Sequence, residues 1–131
     1  MTEDELNVLS EKIIGCAYDV ANKLGSGFLE KVYENALAYE IRKLRLKVEV
    51  QKPLSVVYEN VVVGEYFADL LVEDTLVIEL KTSNGFSDNH KAQCINYLNA
   101  TRLPLCLLIN FGKPRVEIKR VFQSQFLENI S

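Results

Sequence analysis

The segment 66–81, YFADLLVEDTLVIELK, constrains the fold of this chain more than any other stretch. Two runs rich in β-branched and aromatic residues flank Glu73 and Asp74, a pattern that predicts an antiparallel hairpin. One face of this hairpin is wholly apolar and is formed by Leu70, Val72, Leu76, Ile78 and Leu80. The other face is apolar apart from Asp69, Glu79 and Lys81. Strands that are apolar on both faces lie in the middle of a covered sheet, so the hairpin is predicted to form the centre of the protein.

Whether the charged side chains meet depends on the pairing register of the two strands. Alternation along a strand predicts that Phe67, Asp69 and Leu71 share a face, and that Glu79 and Lys81 do so as well. Asp69 joins Glu79 only if the connecting loop is odd in length, most simply residues 73–75. A slip of one residue would place Asp69 on the opposite side of the sheet.

Each unpaired buried charge costs several kcal/mol of folding free energy, which pairing does not easily offset. Three ionisable groups in such a sheet therefore indicate a chemical task. Asp69, Glu79 and the backbone carbonyl of Leu80 offer the oxygen ligands that Mg²⁺ prefers. Lys81 would lie beside a metal-bound water, where it could orient or help deprotonate the nucleophile and balance the charge of a phosphate. The set predicts phosphodiester hydrolysis.

The spacing of Asp69 from the run Glu79, Leu80 and Lys81 resembles the PD-(D/E)XK signature of restriction-endonuclease-like nucleases, with Ala68 in place of the proline. Residues 27–33, GFLEKVY, resemble the GxxExxY motif that names a small family within this superfamily. Gln93 and Tyr97 match a Gln-x-x-x-Tyr motif seen on a helix in many of its nucleases. The resemblance covers residues 6–122. It implies an α/β sandwich with a central mixed sheet flanked by helices, and a nuclease chemistry, but it does not supply a substrate.

The resemblance also implies roles for residues outside the hairpin. Glu30 of the GxxExxY motif would add an acidic contact to the metal site, and Gln93 would hold Lys81 or a substrate phosphate. His90 and Tyr97 would border the site. Helical spacing brings Glu34 near Glu30 as a further candidate. The alternative for each of these glutamates is a solvated helix face, since glutamate is rarely buried.

Charge limits the ways in which the chain can bind nucleic acid. A formal net charge of -3 argues against a protein that coats nucleic acid by bulk electrostatics, although it leaves room for local basic tracks. Arg42, Lys43 and Arg45 form the densest positive run, and Lys113 belongs to a second cluster. These are candidate phosphate contacts. Cations in the last turn of a helix also complement the helix dipole, which explains the first run equally well.

The remaining elements follow from periodicity and turn signals. A first helix is predicted after Thr2, capped by Thr2 and Glu5, and a second over 29–44 with a buried stripe. That stripe consists of Leu29, Val32, Ala36, Leu37, Ile41 and Leu44. Residues 48–58, which contain a proline, are predicted to form an edge strand or two short strands. A third helix is expected from Ser87 or Asp88, strands over 103–111 and 116–122, and a loose or helical tail from Gln123.

Length and composition indicate one domain spanning 1–131, since 131 residues with 48% hydrophobic content can bury a core. The three cysteines are odd in number and widely spaced, which argues against a disulfide framework or a zinc site. No apolar run reaches the roughly 18 residues of a membrane span, so we expect a cytoplasmic protein that does not enter the membrane.

The leading hypothesis is an endonuclease or related phosphodiesterase that uses Mg²⁺ or Mn²⁺ and acts on nucleic acid, with DNA favoured over RNA. A homodimer is a candidate assembly, because a small single domain of this kind often needs a second copy to cut two strands. The alternative is a non-catalytic module that keeps the fold and binds nucleic acid or protein. A third hypothesis treats Asp69, Glu79 and Lys81 as a structural ion-pair network.

Overall fold

The fold was obtained as a computed structural model, which describes residues 1–124. The helices within that range are α1 (Glu3–Leu24), α2 (Glu30–Lys43) and α3 (Asp88–Thr101). The strands are β1 (Val48–Tyr58), β2 (Val61–Val72), β3 (Leu76–Lys81), β4 (Leu105–Asn110) and β5 (Glu117–Phe122). The prediction for the tail falls largely on residues 125–131, outside the described part.

The five strands form one mixed sheet in the order β1-β2-β3-β4-β5. Only the pair β3–β4 is parallel; it is joined by the crossover helix α3, and the other neighbouring pairs are antiparallel. This confirms the predicted α/β fold with a central mixed sheet. The hairpin lies inside the sheet and β1 and β5 lie at its edges, as expected from their charged or proline-containing sequences.

The sheet is covered on both faces. Helices α1 and α2 pack against the face that carries Leu70, Val72, Leu76, Ile78 and Leu80, which confirms the predicted apolar face. Helix α3 packs on the opposite face, where Cys94 and Leu98 meet Val77, Cys106 and Leu108. The parallel strands β3 and β4 are thus buried on both sides.

Local sequence signals fix several ends of these elements. Thr2 and Glu5 form the predicted capping box of α1, with Thr2 Oγ1 accepting from Glu5 N–H at 3.1 Å. Ser87 caps α3. The hairpin loop is the predicted three-residue loop, because Val72 pairs with Leu76.

The alternation of β2 changes phase at Asp69, so the prediction that Phe67, Asp69 and Leu71 share a face is wrong. Leu71 is buried on the α3 face, but Phe67 is 54% exposed and it is Ala68 that packs on that face. The distortion coincides with Gln51 on the neighbouring strand, which has φ +52°. The ladder between β2 and β3 ends at the pair Leu70 and Ile78, one position short of Asp69. Asp69 therefore sits where the two strands part.

Helix α2 is rotated relative to the predicted stripe. Leu29, Val32 and Leu44 are 81%, 39% and 47% exposed, so their assignment to the core is wrong. Tyr33 is fully buried instead, because it stacks on Phe111 with ring centroids 4.6 Å apart and donates to the Gly25 carbonyl at 2.6 Å. A specific aromatic contact and a buried Glu34 outweigh the simple apolar period.

A buried asparagine ties together the loops that follow β3 and β4. Asn110 Oδ1 accepts from the N–H groups of Ser83 at 3.0 Å and Gly112 at 2.9 Å, and Nδ2 donates to Ser83 O at 2.9 Å and Glu117 Oε1 at 3.1 Å. The loops approach so closely that a Cβ on Gly112 would lie 2.5 Å from the Ser83 backbone. This packing shapes the end of the sheet at which Lys81 lies.

Candidate active site

Asp69 uses both carboxylate oxygens to join neighbouring strands. Its Oδ2 accepts from the backbone N–H of Leu80 at 2.8 Å, and its Oδ1 accepts from Gln51 Nε2 at 3.1 Å. Partial burial raises the pKa of Asp69, although both hydrogen bonds act in the opposite direction. Each oxygen keeps a further lone pair for another ligand.

Glu79 lies next to Asp69, as the odd loop requires. Its carboxylate accepts from the Asp69 backbone N–H and from the Tyr66 hydroxyl, the latter at 3.3 Å. Burial, followed by repulsion from the Asp69 charge, raises the pKa of Glu79 to about 8. Two carboxylates therefore share a poorly solvated place at the end of β3 where the charged form of each is destabilised.

Glu30 and Lys81 belong to the same electrostatic cluster. Burial raises the pKa of Glu30, and the nearby charge of Asp69 raises it further while Lys81 opposes the effect. Glu30 is the first residue of α2, so the helix brings it to the end of β3 where Lys81 lies. Five predicted features thus meet here: the side chains of Asp69, Glu79, Lys81 and Glu30, and the Leu80 backbone.

Gln51 is a member of the cluster that the sequence did not reveal. Its Nε2 donates to Asp69 and also to Glu34 Oε1, at 2.6 Å. Glu34 is only 3% exposed and pairs through its other oxygen with Lys31. A glutamine in an irregular edge strand gives no local signal of such a role; the left-handed backbone that re-aims it is visible only in the fold.

No salt bridge within residues 1–124 joins Lys81 to Asp69 or Glu79. Glu79 is hydrogen-bonded to Tyr66 and to the Asp69 backbone, and Asp69 to Gln51 and Leu80. The hypothesis of a structural ion-pair network predicts direct pairing, so this geometry disfavours it.

The donor set fits a hard divalent cation. Asp69 and Glu79 supply carboxylate oxygens, and the Leu80 carbonyl points toward β2 because its N–H does so. A cation would offset the burial that raises the pKa of both carboxylates and the repulsion from Asp69 that raises the pKa of Glu79 further. In the described part of the chain no three Asp, Glu, His or Cys side chains converge as ligands. Mg²⁺ requires only one or two carboxylates and keeps several waters, so the set suffices.

A family model for the PD-(D/E)XK nuclease superfamily matches residues 7–121. The chain belongs to this superfamily. The matched range contains Asp69, Glu79 and Lys81. No curated protein sequence matches the chain.

Solved structures share the PD-(D/E)XK fold of this chain at low sequence identity. The crystal structure of SSO0001 has a TM-score of 0.54 and 20% identity and covers 71% of this chain, which spans about half, 49%, of that protein. An alkaline exonuclease, LHK-Exo from Laribacter hongkongensis, has a TM-score of 0.51 and 17% identity, over 99% of this chain and 76% of the exonuclease. Its complex with dAMP has a TM-score of 0.51 and 14% identity, over 87% of this chain and 80% of the exonuclease.

Helix α3 of this PD-(D/E)XK domain borders the acidic cluster through its aromatic side chain. Tyr97 stacks on Tyr66, with ring centroids 3.2 Å apart, and Tyr66 in turn donates to Glu79. The Gln93 side chain hydrogen-bonds Tyr97, so the structure links it to the tyrosine pair rather than to Lys81. His90 Nδ1 accepts from Ser87 N–H at 3.2 Å as part of the helix cap.

The first basic run lies away from the PD-(D/E)XK cluster. Arg42 is about 18 Å from Glu30 along α2, at 1.5 Å per residue. Lys43 pairs with Glu40 at 3.2 Å, and Arg45 lies in the connection between α2 and β1. Lys113 lies in the β4–β5 loop, which packs against the loop after Lys81, and it pairs with Glu117 at the start of β5 at 3.3 Å.

None of the three helices within residues 1–124 combines the length and the apolar character required to cross a bilayer.

Proposed function

We propose that the domain is a nuclease that depends on Mg²⁺ or Mn²⁺ and hydrolyses phosphodiester bonds of nucleic acid. The observation that carries the proposal is the meeting of Asp69 and Glu79 at the parting of β2 and β3, with Lys81 beside them and outside any salt bridge in residues 1–124. Membership in a nuclease superfamily whose members generally use divalent metals supports it.

Each residue of the cluster has a distinct task in this proposal. Asp69, Glu79 and the Leu80 carbonyl hold the cation, and Glu30 adds negative charge beside it. A bound Mg²⁺ or Mn²⁺ supplies Lewis-acid activation of the phosphate and of a water. The Lys81 ammonium orients that water and offsets phosphate charge. Gln93 supports the site through Tyr97, while Lys113, together with His90 and Tyr97 on α3, provides nucleic-acid contacts near the centre. Arg42, Lys43 and Arg45 form a separate basic patch for a more distant part of the strand.

We infer further that the chain belongs to the GxxExxY family. Gly27 has φ +107°, a conformation that favours glycine, and so turns the chain into α2. Glu30 faces the acidic cluster, and Tyr33 locks the entry to the helix through Gly25 and Phe111. The three motif residues thus have a shared role in placing the start of α2 against the site.

DNA is the proposed substrate. The neighbour LHK-Exo is described as an alkaline exonuclease and was crystallised with dAMP, a deoxynucleotide. This neighbour favours DNA as the substrate. Because the likeness concerns the fold alone, it does not specify whether that DNA is single-stranded, duplex or branched. A second copy of the domain would supply the second centre required to cut both strands, and we propose a homodimer on that basis. The three free cysteines suit a reducing, cytoplasmic location.

Labelled single-stranded, duplex, branched and circular DNA, and the corresponding RNA, test the proposal. We expect cleavage with Mg²⁺ or Mn²⁺, loss of cleavage with a chelator, and loss in Glu79→Gln. Cleavage of circular DNA would identify an endonuclease, and the light-scattering mass of the active species would reveal a dimer. Absence of cleavage on every substrate, with no metal-induced rise in melting temperature, would overturn the proposal and favour the non-catalytic binding module.

A further inference from the structure

We propose that Gln51 is a positioning residue that ties the metal-binding carboxylate of Asp69 to Glu34 on α2, and thereby sets the separation of Asp69 and Glu30. This inference rests on the proposed function, because it presupposes a metal site at Asp69. It assigns a specific task to a residue that belongs to none of the sequence motifs described above.

Only one orientation of the Gln51 side-chain amide fits its two hydrogen-bond partners. The NH₂ group has two hydrogens, and the structure uses them on two carboxylates, Glu34 Oε1 at 2.6 Å and Asp69 Oδ1 at 3.1 Å. Rotation of the amide by half a turn would place its oxygen against both carboxylates. Two charge-assisted hydrogen bonds therefore hold the side chain and, through it, the Asp69 carboxylate.

The backbone conformation of Gln51 supports a functional role for its side chain. Its φ of +52° lies in the left-handed region, which costs a residue other than glycine about 1–2 kcal/mol. The register from Val48 to Leu54 pairs with β2 on both sides of this residue, so the strand continues through the distortion. The conformation lets an edge-strand side chain reach across Asp69 to α2. Strained backbone at such a place motivates a functional hypothesis.

Glu34 connects Gln51 to Glu30 through one turn of helix α2. Glu34 and Glu30 are four residues apart on α2, so their side chains are neighbours on one face. Glu34 is buried and is anchored on its other side by Lys31. Fixing Glu34 to Asp69 through Gln51 consequently fixes how closely Glu30 approaches the metal ligands. The neutral Gln51 amide also lies between the carboxylates of Glu34 and Asp69 and so separates their charges.

Gln51→Gly and Gln51→Asn test the inference, because glycine and asparagine both tolerate the left-handed backbone. Glycine removes the side chain, and asparagine is one methylene too short to bridge the two carboxylates. Loss of a residue that orients a metal ligand typically weakens metal binding 10- to 100-fold, and we expect Kd for Mn²⁺ to rise by about that factor. Isothermal titration calorimetry with Mn²⁺ alone measures Kd, and circular dichroism establishes that each variant is folded.

Glu59→Gly is the matched control. Glu59 also has positive φ, +48°, but it lies in the exposed turn between β1 and β2 and makes no contact with the cluster within the described structure. We expect its Kd for Mn²⁺ to equal that of the wild type. A purely structural role for Gln51 would change stability in the Gln51 variants without changing Kd.

The outcomes separate the two proposals. Wild-type binding of Mn²⁺ with an unchanged Kd in folded Gln51→Gly or Gln51→Asn would overturn the positioning role and leave the proposed nuclease intact. Absence of Mn²⁺ binding by the wild type would overturn both. Failure of both variants to fold would also overturn the inference, since it would make Gln51 a requirement of the fold rather than of the metal site.

Discussion

The carboxylate of Asp69 accepts a hydrogen bond from the backbone N–H of Leu80 at 2.8 Å, beyond Leu70 and Ile78, the last paired residues of β2 and β3. A side chain thus replaces the strand carbonyl that would otherwise bond this N–H. Asp69 satisfies the end of β3 and, in the proposed function, binds the metal. Its two roles respond differently to substitution.

Asp69→Asn and Asp69→Ala separate these roles. Asparagine keeps an oxygen for the Leu80 N–H but turns its NH₂ toward the Gln51 NH₂, so it loses that hydrogen bond as well as the charge. We expect metal binding to disappear and the metal-free protein to lose less stability than the alanine variant does. Alanine leaves a buried N–H without a partner and should lower the free energy of unfolding by about 1–3 kcal/mol. Urea denaturation with a chelator compares the two variants, and equal stabilities would contradict the role of the Leu80 contact.

The stability of the metal-free protein should depend on the ionisation of Glu79. Its pKa in the folded state is about 8, against 4.5 for an unperturbed glutamate. The folded state therefore holds a proton that the unfolded state releases, and the free energy of unfolding falls as pH rises from about 4.5 to 8, by about a few kcal/mol at most. Glu79→Gln should flatten this trend. Thermal denaturation at several pH values in a chelator measures it.

Bound metal should reverse the effect of pH. Mg²⁺ binds the ionised carboxylate, so we expect its stabilisation of the wild type to be larger at pH 8 than at pH 6. A metal-free wild type whose stability rises over the same range, or one that Glu79→Gln leaves equally sensitive to pH, would show that Glu79 is not the titrating group.

Lys81→Met should impair the chemical step without loosening the fold. Lys81 lies outside the salt bridges of residues 1–124, and its charge acts on Glu30, Asp69 and Glu79 only as a cause that opposes the rise of their pKa, so we expect a small effect on stability. We expect kcat to fall about 10²–10⁴-fold at saturating Mg²⁺, as for other proton-handling groups, with the melting temperature nearly unchanged. Lys12→Met, on the exposed side of α1, is the control. A large loss of stability in Lys81→Met alone would instead favour a structural ion pair.

Asn110→Asp should loosen the two loops beside the site. The substitution replaces an NH₂ donor by an oxygen, so the Ser83 carbonyl loses its partner and Glu117 meets a second carboxylate. Because Asn110 is fully buried, we expect a loss of about 2–4 kcal/mol in the free energy of unfolding. Denaturant unfolding at neutral pH measures it. Stability that recovers at low pH, where the new carboxyl is protonated, would support this cause, and unchanged stability at pH 7 would exclude it.

Local signals in the sequence were sufficient for most of the secondary structure. The Thr2 and Glu5 cap, the Ser87 cap and the three-residue hairpin loop each depend on a few adjacent residues, and the structure contains all of them. The three-residue loop places Asp69 opposite Glu79, but the ladder ends at Leu70 and Ile78 and β2 changes phase at Asp69, so strand parity alone did not decide the face on which Asp69 lies. Glu30 came from a motif, and the electrostatic contact with Asp69 agrees with that placement.

Other features were decided by tertiary contacts that no local pattern contains. Helix α2 buries a different face from the predicted apolar stripe because Tyr33 stacks on Phe111 and donates to the Gly25 carbonyl. Strand β2 changes phase where Gln51 of the neighbouring strand adopts a left-handed backbone. The sequence by itself determined which residues could supply acid, base and hydrogen-bond chemistry and where strands and helices begin. Only the folded chain decided that Gln51 and Glu34 join the acidic cluster, because their contacts link an edge strand, a helix and a central strand.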